Sequence, residues 1–477
     1  MEKLSGLSHL FMTIFLHNFS TFMVIPAITD VAMTALCPGL DECSLAIYLT
    51  GFQQAKHYRK LFGLLCPKSP STRYSPRLEA ARPNGSVIIG LGTLVMTPLV
   101  GNLSDKYGRK TLLTVPMILT IIPLGILAYS RARTFFYVYY VFKTLTAMIC
   151  EGSVHCLSLA YVADNVPEGQ RASSFGILSG IGSAAFVCGT LSTRFLSTAS
   201  TFQVAASVAV MAAVYMRIFL PDSIADDALS VPILSKEKLN VVKSKSDGDS
   251  APKTVQIFKP MPSFEDMLSL LKTSSTFSQA AIVAFFSSLA DVGLHASMMY
   301  YLKASFHFSK NQFADLMVIT GIAGTISQLL LMPMLVPALG EEKLLSIGLF
   351  FSCAHMFLYS IAWSFWVPYV AAMFSILFVF SQPCMRSIVS KQVGSCEQGM
   401  AQGCISGICS FANVVSPLAF SPLTALFLSD DAPFDFPGFS IMCIGFASMI
   451  AFVQSMTIRA APLISSHSVN NCNYAAV

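Results

Sequence analysis

The sequence predicts an all-α polytopic membrane protein of about twelve transmembrane helices in two pseudo-symmetric six-helix bundles. Three observations carry that expectation: a composition short of charge, apolar blocks long enough to span a bilayer, and a repeat between the two halves of the chain.

Hydrophobic residues fill 54% of the 477 positions and charged residues only 12%, with a mean hydropathy of +0.63. An ordinary soluble domain carries about 25% charge, so this chain has too few ionic groups to wet a soluble surface. Its apolar residues fall in blocks of about 20 or more, the length a helix needs to cross a hydrocarbon core of about 30 Å. We place spans at 7–35, 87–103, 111–130, 135–163, 172–193, 198–220, 277–302, 312–338, 344–364, 366–388, 400–428 and 437–460. The segment from Leu7 runs past Pro26 without a clear cleavage site and reads as the first span, not a signal peptide.

Between the sixth and seventh spans, 221–276 contains the polar run SKEKLNVVKSKSDGDSAPK. Such a run cannot bury a core and reads as a flexible linker. Its end, SFEDMLSLLKT, places Ser263 three residues before Asp266, a capping-box-like start to a short amphipathic helix. The expected organisation is a six-helix bundle over 1–220, a cytoplasmic linker over 221–276, a second bundle over 277–460 and a cytoplasmic tail over 461–477.

Orientation follows from the basic residues between spans. Lys106, Arg109, Lys110, Arg171, Lys343, Arg386 and Lys391 fall on the side of the N-terminus, against Arg131, Arg133, Arg194, Lys303 and Lys310 opposite. Both termini and the linker are expected in the cytoplasm, in a plasma membrane or an endomembrane. The net charge of +5 is concentrated in 55–86, where Lys56, Arg59, Lys60, Lys68, Arg73, Arg77 and Arg82 face Glu79 alone. The remainder is near neutral, which argues against a nucleic-acid-binding face.

That basic stretch is anomalous. SLAIYLTGFQQ (44–54) and VIIGLGTLVMTPLVGNL (87–103) would form one second span if joined. The insert reads as a retained intron or mispredicted exon; if native, it is an outer loop in which Asn84-Gly85-Ser86 has the pattern of a glycosylation acceptor. Most of the 13 cysteines lie in apolar blocks, where Cys behaves as a small hydrophobe. Cys37 and Cys43 flank a short polar loop and could pair if it faces an oxidising compartment.

The halves repeat each other. GILSGIGSAAFVCGTL from Gly176 and GCISGICSFANVVSPL from Gly403 agree at eight of sixteen positions, in the fifth and eleventh spans. Both carry a Gly-x-x-x-Gly step, Gly176–Gly180 and Gly403–Gly407, that lets helix backbones approach closely in lipid.

GNLSDKYGRK, from Gly101 to Lys110, joins the second and third spans. Its glycines allow a tight turn, Asp105 suits the positive end of a helix, and Arg109 can fork onto a carboxylate. The stretch resembles the signature loop of the major facilitator superfamily, with Gly101, Asp105, Gly108 and Arg109 all in place. The resemblance implies Asp164, at the end of the fourth span, as the partner of Arg109, and a latch that opens and closes the cytoplasmic side. The corresponding MPMLVPALGEEK of the second half keeps only Gly340 and a nearby lysine, so a one-sided latch is expected.

AYVADNVPEGQRASSFG (160–176) and SIVSKQVGSCEQGMAQG (387–403) resemble the tetracycline-antiporter and hippocampus-abundant-transcript-like branch of that superfamily. The resemblance covers nearly the whole chain apart from 55–86 and the linker. It implies a central cavity, proton-coupled export of a small organic solute, and a monomer in the lipid bilayer. Two departures weigh against drug antiport: Gly189 is followed by Thr190 where those antiporters commonly have proline, and the fourth span offers Lys143 near where they have arginine. A uniporter or proton symporter of a natural metabolite, or a transporter-like receptor, remain as alternatives.

Ionisable groups in mid-span supply the coupling candidates. Glu151 and His155 in the fourth span, and Asp291 and His295 in the seventh, stand at i, i+4 on expected helix faces. A charge at the bilayer centre costs roughly 2.5–3.5 kcal/mol on insertion scales and normally faces a cavity or a partner. A carboxylate beside an imidazole can take up a proton between about pH 5 and 8. His17, Asn18 and Gln328 are weaker cavity-lining candidates, while Asp30 and Asp315 lie near span ends. No Gly-x4-Gly-Lys-Ser/Thr loop, Gly-x-Ser-x-Gly elbow or metal-spaced His/Cys cluster occurs. Neither an enzyme, nor a cofactor, nor a metal is expected.

Overall fold

The computed structural model describes residues 2–36, 86–221, 271–272, 274–308, 310–394, 397–429 and 432–458. The basic insert up to residue 85, the Cys37–Cys43 pair, nearly all of the linker with Ser263 and Asp266, and the tail lie outside the described residues.

The described chain is helical from end to end: α1 (Glu2–Leu36), α2 (Ser86–Tyr107), α3 (Arg109–Tyr129), α4 (Arg133–Cys150), α5 (Ser153–Asn165), α6 (Arg171–Ser192) and α7 (Thr198–Phe219), then α8 (Ser275–Phe306), α9 (Lys310–Ile326), α10 (Met332–Leu339), α11 (Glu341–Ser360), α12 (Val367–Met373), α13 (Ser381–Ser390), α14 (Gln398–Phe427) and α15 (Phe439–Ser455). Among the described residues, ten segments are long and apolar enough to cross a membrane, and α15 is apolar but shorter. With α2 they make the twelve expected spans, because α4–α5, α9–α10 and α12–α13 each act as one.

In lipid every backbone amide must find a partner inside its own segment, so helix is the form these apolar blocks take. In the first half α1 packs between α6 and α7, and α3 against α4 and α7. In the second half α8 packs against α14 and α15, and α11 against α15 and α13. The halves meet along two seams: α2 lies along α14, and α6 lies against α9, α10 and α13. Large apolar side chains such as Val141, Leu145, Val214, Ile218, Phe350 and Val453 stay exposed, as lipid-facing positions require.

Two spans break in mid-membrane, and the breaks are mates. The offset of 227 residues that takes Gly176 to Gly403 takes Glu151 and Gly152 to Phe378 and Val379. Span four ends its first half-helix at Glu151 (ψ 122°) and restarts at Ser153 after Gly152, whose φ of +85° suits only glycine. Span ten passes through a 3-10 turn, Phe374–Leu377, and restarts at Ser381. The freed carbonyls of span ten are satisfied from span eight, where a π-helical turn, Ser327–Leu331, turns two polar side chains toward them. Ser327 Oγ donates to the Ile376 carbonyl (2.6 Å) and Gln328 Nε2 to that of Val379 (3.3 Å).

The break corrects one expectation: Glu151 and His155 do not share a continuous helix face, because the chain turns between them. Asp291 and His295 do share one, within the unbroken α8.

Candidate functional site

The signature loop forms a compact polar knot at the seam between the halves. Gly108, with φ +90° and ψ 144°, makes the sharp turn from α2 to α3 that brings Arg109 back over the end of α2. Arg109 is only 3% exposed. Its Nε donates to Asp164 Oδ2 (2.9 Å), its Nη1 to Ser104 Oγ (2.5 Å), and it forms an ion pair with Asp105. Asp105 in turn accepts from the backbone N–H of Gly399 (3.0 Å) and of Met400 (2.8 Å), the first turn of α14. A carboxylate of one half therefore caps a helix of the other, where the helix dipole favours negative charge.

Small residues bring the two backbones into that range. Gly101 packs directly on Gly399, and a Cβ at Gly403 would meet Pro98 Cα at 3.0 Å. Gly407 faces the Pro98 ring, while Gly176 and Gly180 face Met332, Gln328 and Leu329 of the eighth span. The two Gly-x-x-x-Gly steps thus lie one on each seam.

The second half keeps more of the motif than Gly340 and a nearby lysine, with its charges reversed. Gly340, with φ +83°, makes the same turn between α10 and α11, but the next residue is Glu341, not arginine. Glu341, 4% exposed, holds Lys391 Nζ at 2.8 Å. Lys391 is the mate of Asp164 under the 227-residue offset, so the second half carries the same bridge with its charges exchanged. The helices that follow start alike: Arg171 Nε donates to the Val166 carbonyl (3.3 Å) and Gln398 Nε2 to that of Val393 (3.2 Å), both pairs being mates. Arg171 Nη1 also crosses the seam to the Ser390 carbonyl (3.0 Å), which Gln398 Nε2 shares (2.9 Å).

Two basic residues counted with the loops are not loop residues. Arg171 is the first residue of α6 and Arg386 lies inside α13, and both are buried.

The mid-span candidates separate into two groups. In the second half Gln382 donates to Ser287 Oγ (3.0 Å) and reaches the half-buried Asp291 carboxylate. His295 lies within electrostatic reach of His355, whose Nδ1 meets the Ala371 carbonyl at 2.8 Å. In the first half Glu151 stands exposed at the break, and His155 lies within reach of Arg386 across the seam. His155 and His295 both keep accessible surface. Of the weaker candidates, His17 is buried within reach of Lys143, and Gln328 accepts from Ser183 Oγ (3.2 Å) as well as serving the break in span ten. Asp315 is exposed beside Arg194 (3.6 Å). Among the described residues no group of three or more His, Cys, Asp or Glu side chains is placed to hold a metal ion.

Gln382 and Arg386 were not singled out from sequence. The repeat offset takes His155 to Gln382, so extending the repeat from span eleven back to span ten would have found the first of them.

A profile of the Major Facilitator Superfamily matches residues 10–417. The chain belongs to the Major Facilitator Superfamily. It is 24% identical over 346 residues to human hippocampus abundant transcript 1 protein, covering 71% of this chain and 64% of that one. It is 20% identical over 378 residues to the Escherichia coli class C tetracycline resistance protein, covering 76% and 86% respectively. The match thus spans just under two thirds of the hippocampus-abundant-transcript relative. Among solved structures, the human organic anion transporter MFSD10 (TETRAN) superposes with a TM-score of 0.72 at 15% identity, covering 95% of this chain and 99% of that one. That likeness shows the fold. The chain is a multi-pass membrane protein whose family and fold are those of transporters, not of enzymes.

Proposed function

We propose that this chain is a secondary active transporter that moves a small organic solute by alternating access, exporting it in exchange for protons. The observation that carries the reading is the capping of α14 by Asp105. A contact joining the two halves at one end of the bundle must break for that end to open, and Arg109 with Asp164 sets its geometry. On this reading the latch end is cytoplasmic, as are the termini and the linker. The working unit is one monomer of two bundles, 1–220 and 277–460, with 461–477 as a tail. Glu151, exposed at the break in span four, and Asp291, within reach of Gln382, exchange the coupling proton, with His155 and His295 beside them.

Solute-driven proton flux in proteoliposomes tests the proposal, using the full chain, a form lacking 55–86, and the paired substitution Glu151→Gln with Asp291→Asn. Flux into the vesicle lumen opposite to the solute, lost in the paired variant, is the expected result. Flux that survives neutralisation of both carboxylates overturns the coupling role, and solute movement that ignores pH makes the protein a facilitator.

A further inference from the structure

We propose that Arg386 and His155 form an anion-binding site between the half-helices that start part-way along spans four and ten, and that it takes the carboxylate, sulfonate or phosphate group of the solute. The inference rests on the transport reading above and adds the charge of the cargo.

Arg386 carries the argument. It is 8% exposed, and a guanidinium is always charged. Its Nη1 donates to the Gln402 carbonyl (3.1 Å) and Ser406 Oγ (2.9 Å), with Gln402 Oε1 at 3.5 Å, and Nη2 approaches Cys409 Sγ at 4.0 Å. Every one of these partners is neutral and every one lies on α14. Among the described residues Arg386 forms no ion pair, whereas Arg109, Arg171, Arg194 and Lys391 each have a carboxylate within 4.0 Å. A buried cation without a counter-charge is costly, and a guanidinium carries five N–H donors of which its neighbours here use only part. The α14 contacts fix the position of the group and leave its charge uncompensated.

The surroundings suit an anion. His155 is in the first turn of α5 and Gln382 in the first turn of α13, so each stands at the positive end of a half-helix that starts inside the membrane. They are mates under the repeat, one from each half, and His155 lies close enough to Arg386 for the two to interact across the seam. A single anionic group held by both halves would connect occupancy to their relative movement. Arg386 is a single α-helical turn from Ser390, whose carbonyl Arg171 reaches from the first half.

Fluorescence anisotropy on the purified full chain, with 5-carboxyfluorescein as anionic probe and rhodamine 6G as a cation of similar size, tests this. The chain is expected to bind carboxyfluorescein in preference. Arg386→Gln should weaken that binding roughly tenfold or more, the loss of a charge-assisted hydrogen bond, with Arg386→Lys retaining part of it and His155→Gln weakening it several-fold. Rhodamine binding should not fall. Should Arg386→Gln fail to yield monodisperse protein, the probe preference of the unaltered chain and the His155→Gln variant decide. Preference for rhodamine, binding of neither probe, or unchanged carboxyfluorescein affinity in well-folded variants overturns the assignment. Binding in detergent needs neither flux nor a pH gradient, so it can hold where proton-coupled export fails, and the reverse.

Discussion

Gly152 and Gly108 show how single residues set this architecture. Both hold φ near +90°, a region where an L side chain is strained: Gly108 turns the chain from α2 into α3, and Gly152 interrupts span four. Replacing Gly152 with alanine should cost about 1–3 kcal/mol, read as a fall in the thermal unfolding midpoint. A Cβ there would touch Thr97 Oγ1 at 3.4 Å, so backbone strain, not a clash, supplies the loss. Gly125 is the control: it lies within helix α3 with nothing within 4 Å of an added Cβ, and Gly125→Ala should be neutral or stabilise by up to about 1 kcal/mol. The distinction between these glycines is invisible in the sequence, since glycine is common in membrane helices. Reading Glu151 and His155 as one helix face failed for that reason.

Among the elements, the mated helix starts of the two halves carry the clearest new content. Arg109 with Asp164 and Glu341 with Lys391 are one bridge built twice with opposite charge. Removing one partner of a buried pair leaves the other uncompensated. Glu341→Gln should destabilise the protein by about 1–3 kcal/mol and Glu341→Lys by more. The paired exchange Glu341→Lys with Lys391→Glu should recover most of the loss, because it recreates the polarity of the first half. Thermal unfolding of the single and double variants as a mutant cycle measures the coupling. Matching by residue identity missed this bridge because it looks for arginine after Gly340. The repeat register takes Asp164 to Lys391, but Glu341 is matched to Arg109 only through the turn glycines Gly340 and Gly108, which lie at a different offset.

For the whole molecule, the proposed role of the seam between α2 and α14 is to hold the latch end closed. Cys404 lies on α14 one residue from Gly403, with 0% exposure. Asp105→Ala removes the cap on Gly399 and Met400 and should loosen that seam. Modification of Cys404 by N-ethylmaleimide, followed by peptide mass spectrometry, should then rise several-fold over the unaltered chain. Equal labelling of the two forms would mean that glycine packing alone holds the end shut and that Asp105 is not its latch.

The number, order and approximate ends of the spans, the location of the signature loop and the kinship of the halves were determined by the sequence alone. These depend on hydropathy, on short-range turn chemistry and on register, which are local properties of the chain. Tertiary structure alone decided that spans four and ten break at mated positions, that Arg386 is buried with no ion pair among the described residues, and that Asp105 reaches the start of α14, nearly 300 residues along the chain (105 to 399 and 400). The reason is physical. Whether a polar group in a membrane helix faces lipid, a neighbour or an opening depends on which helices approach it: α14 for Arg386, span eight for the break in span ten, and the opposite half for Asp105.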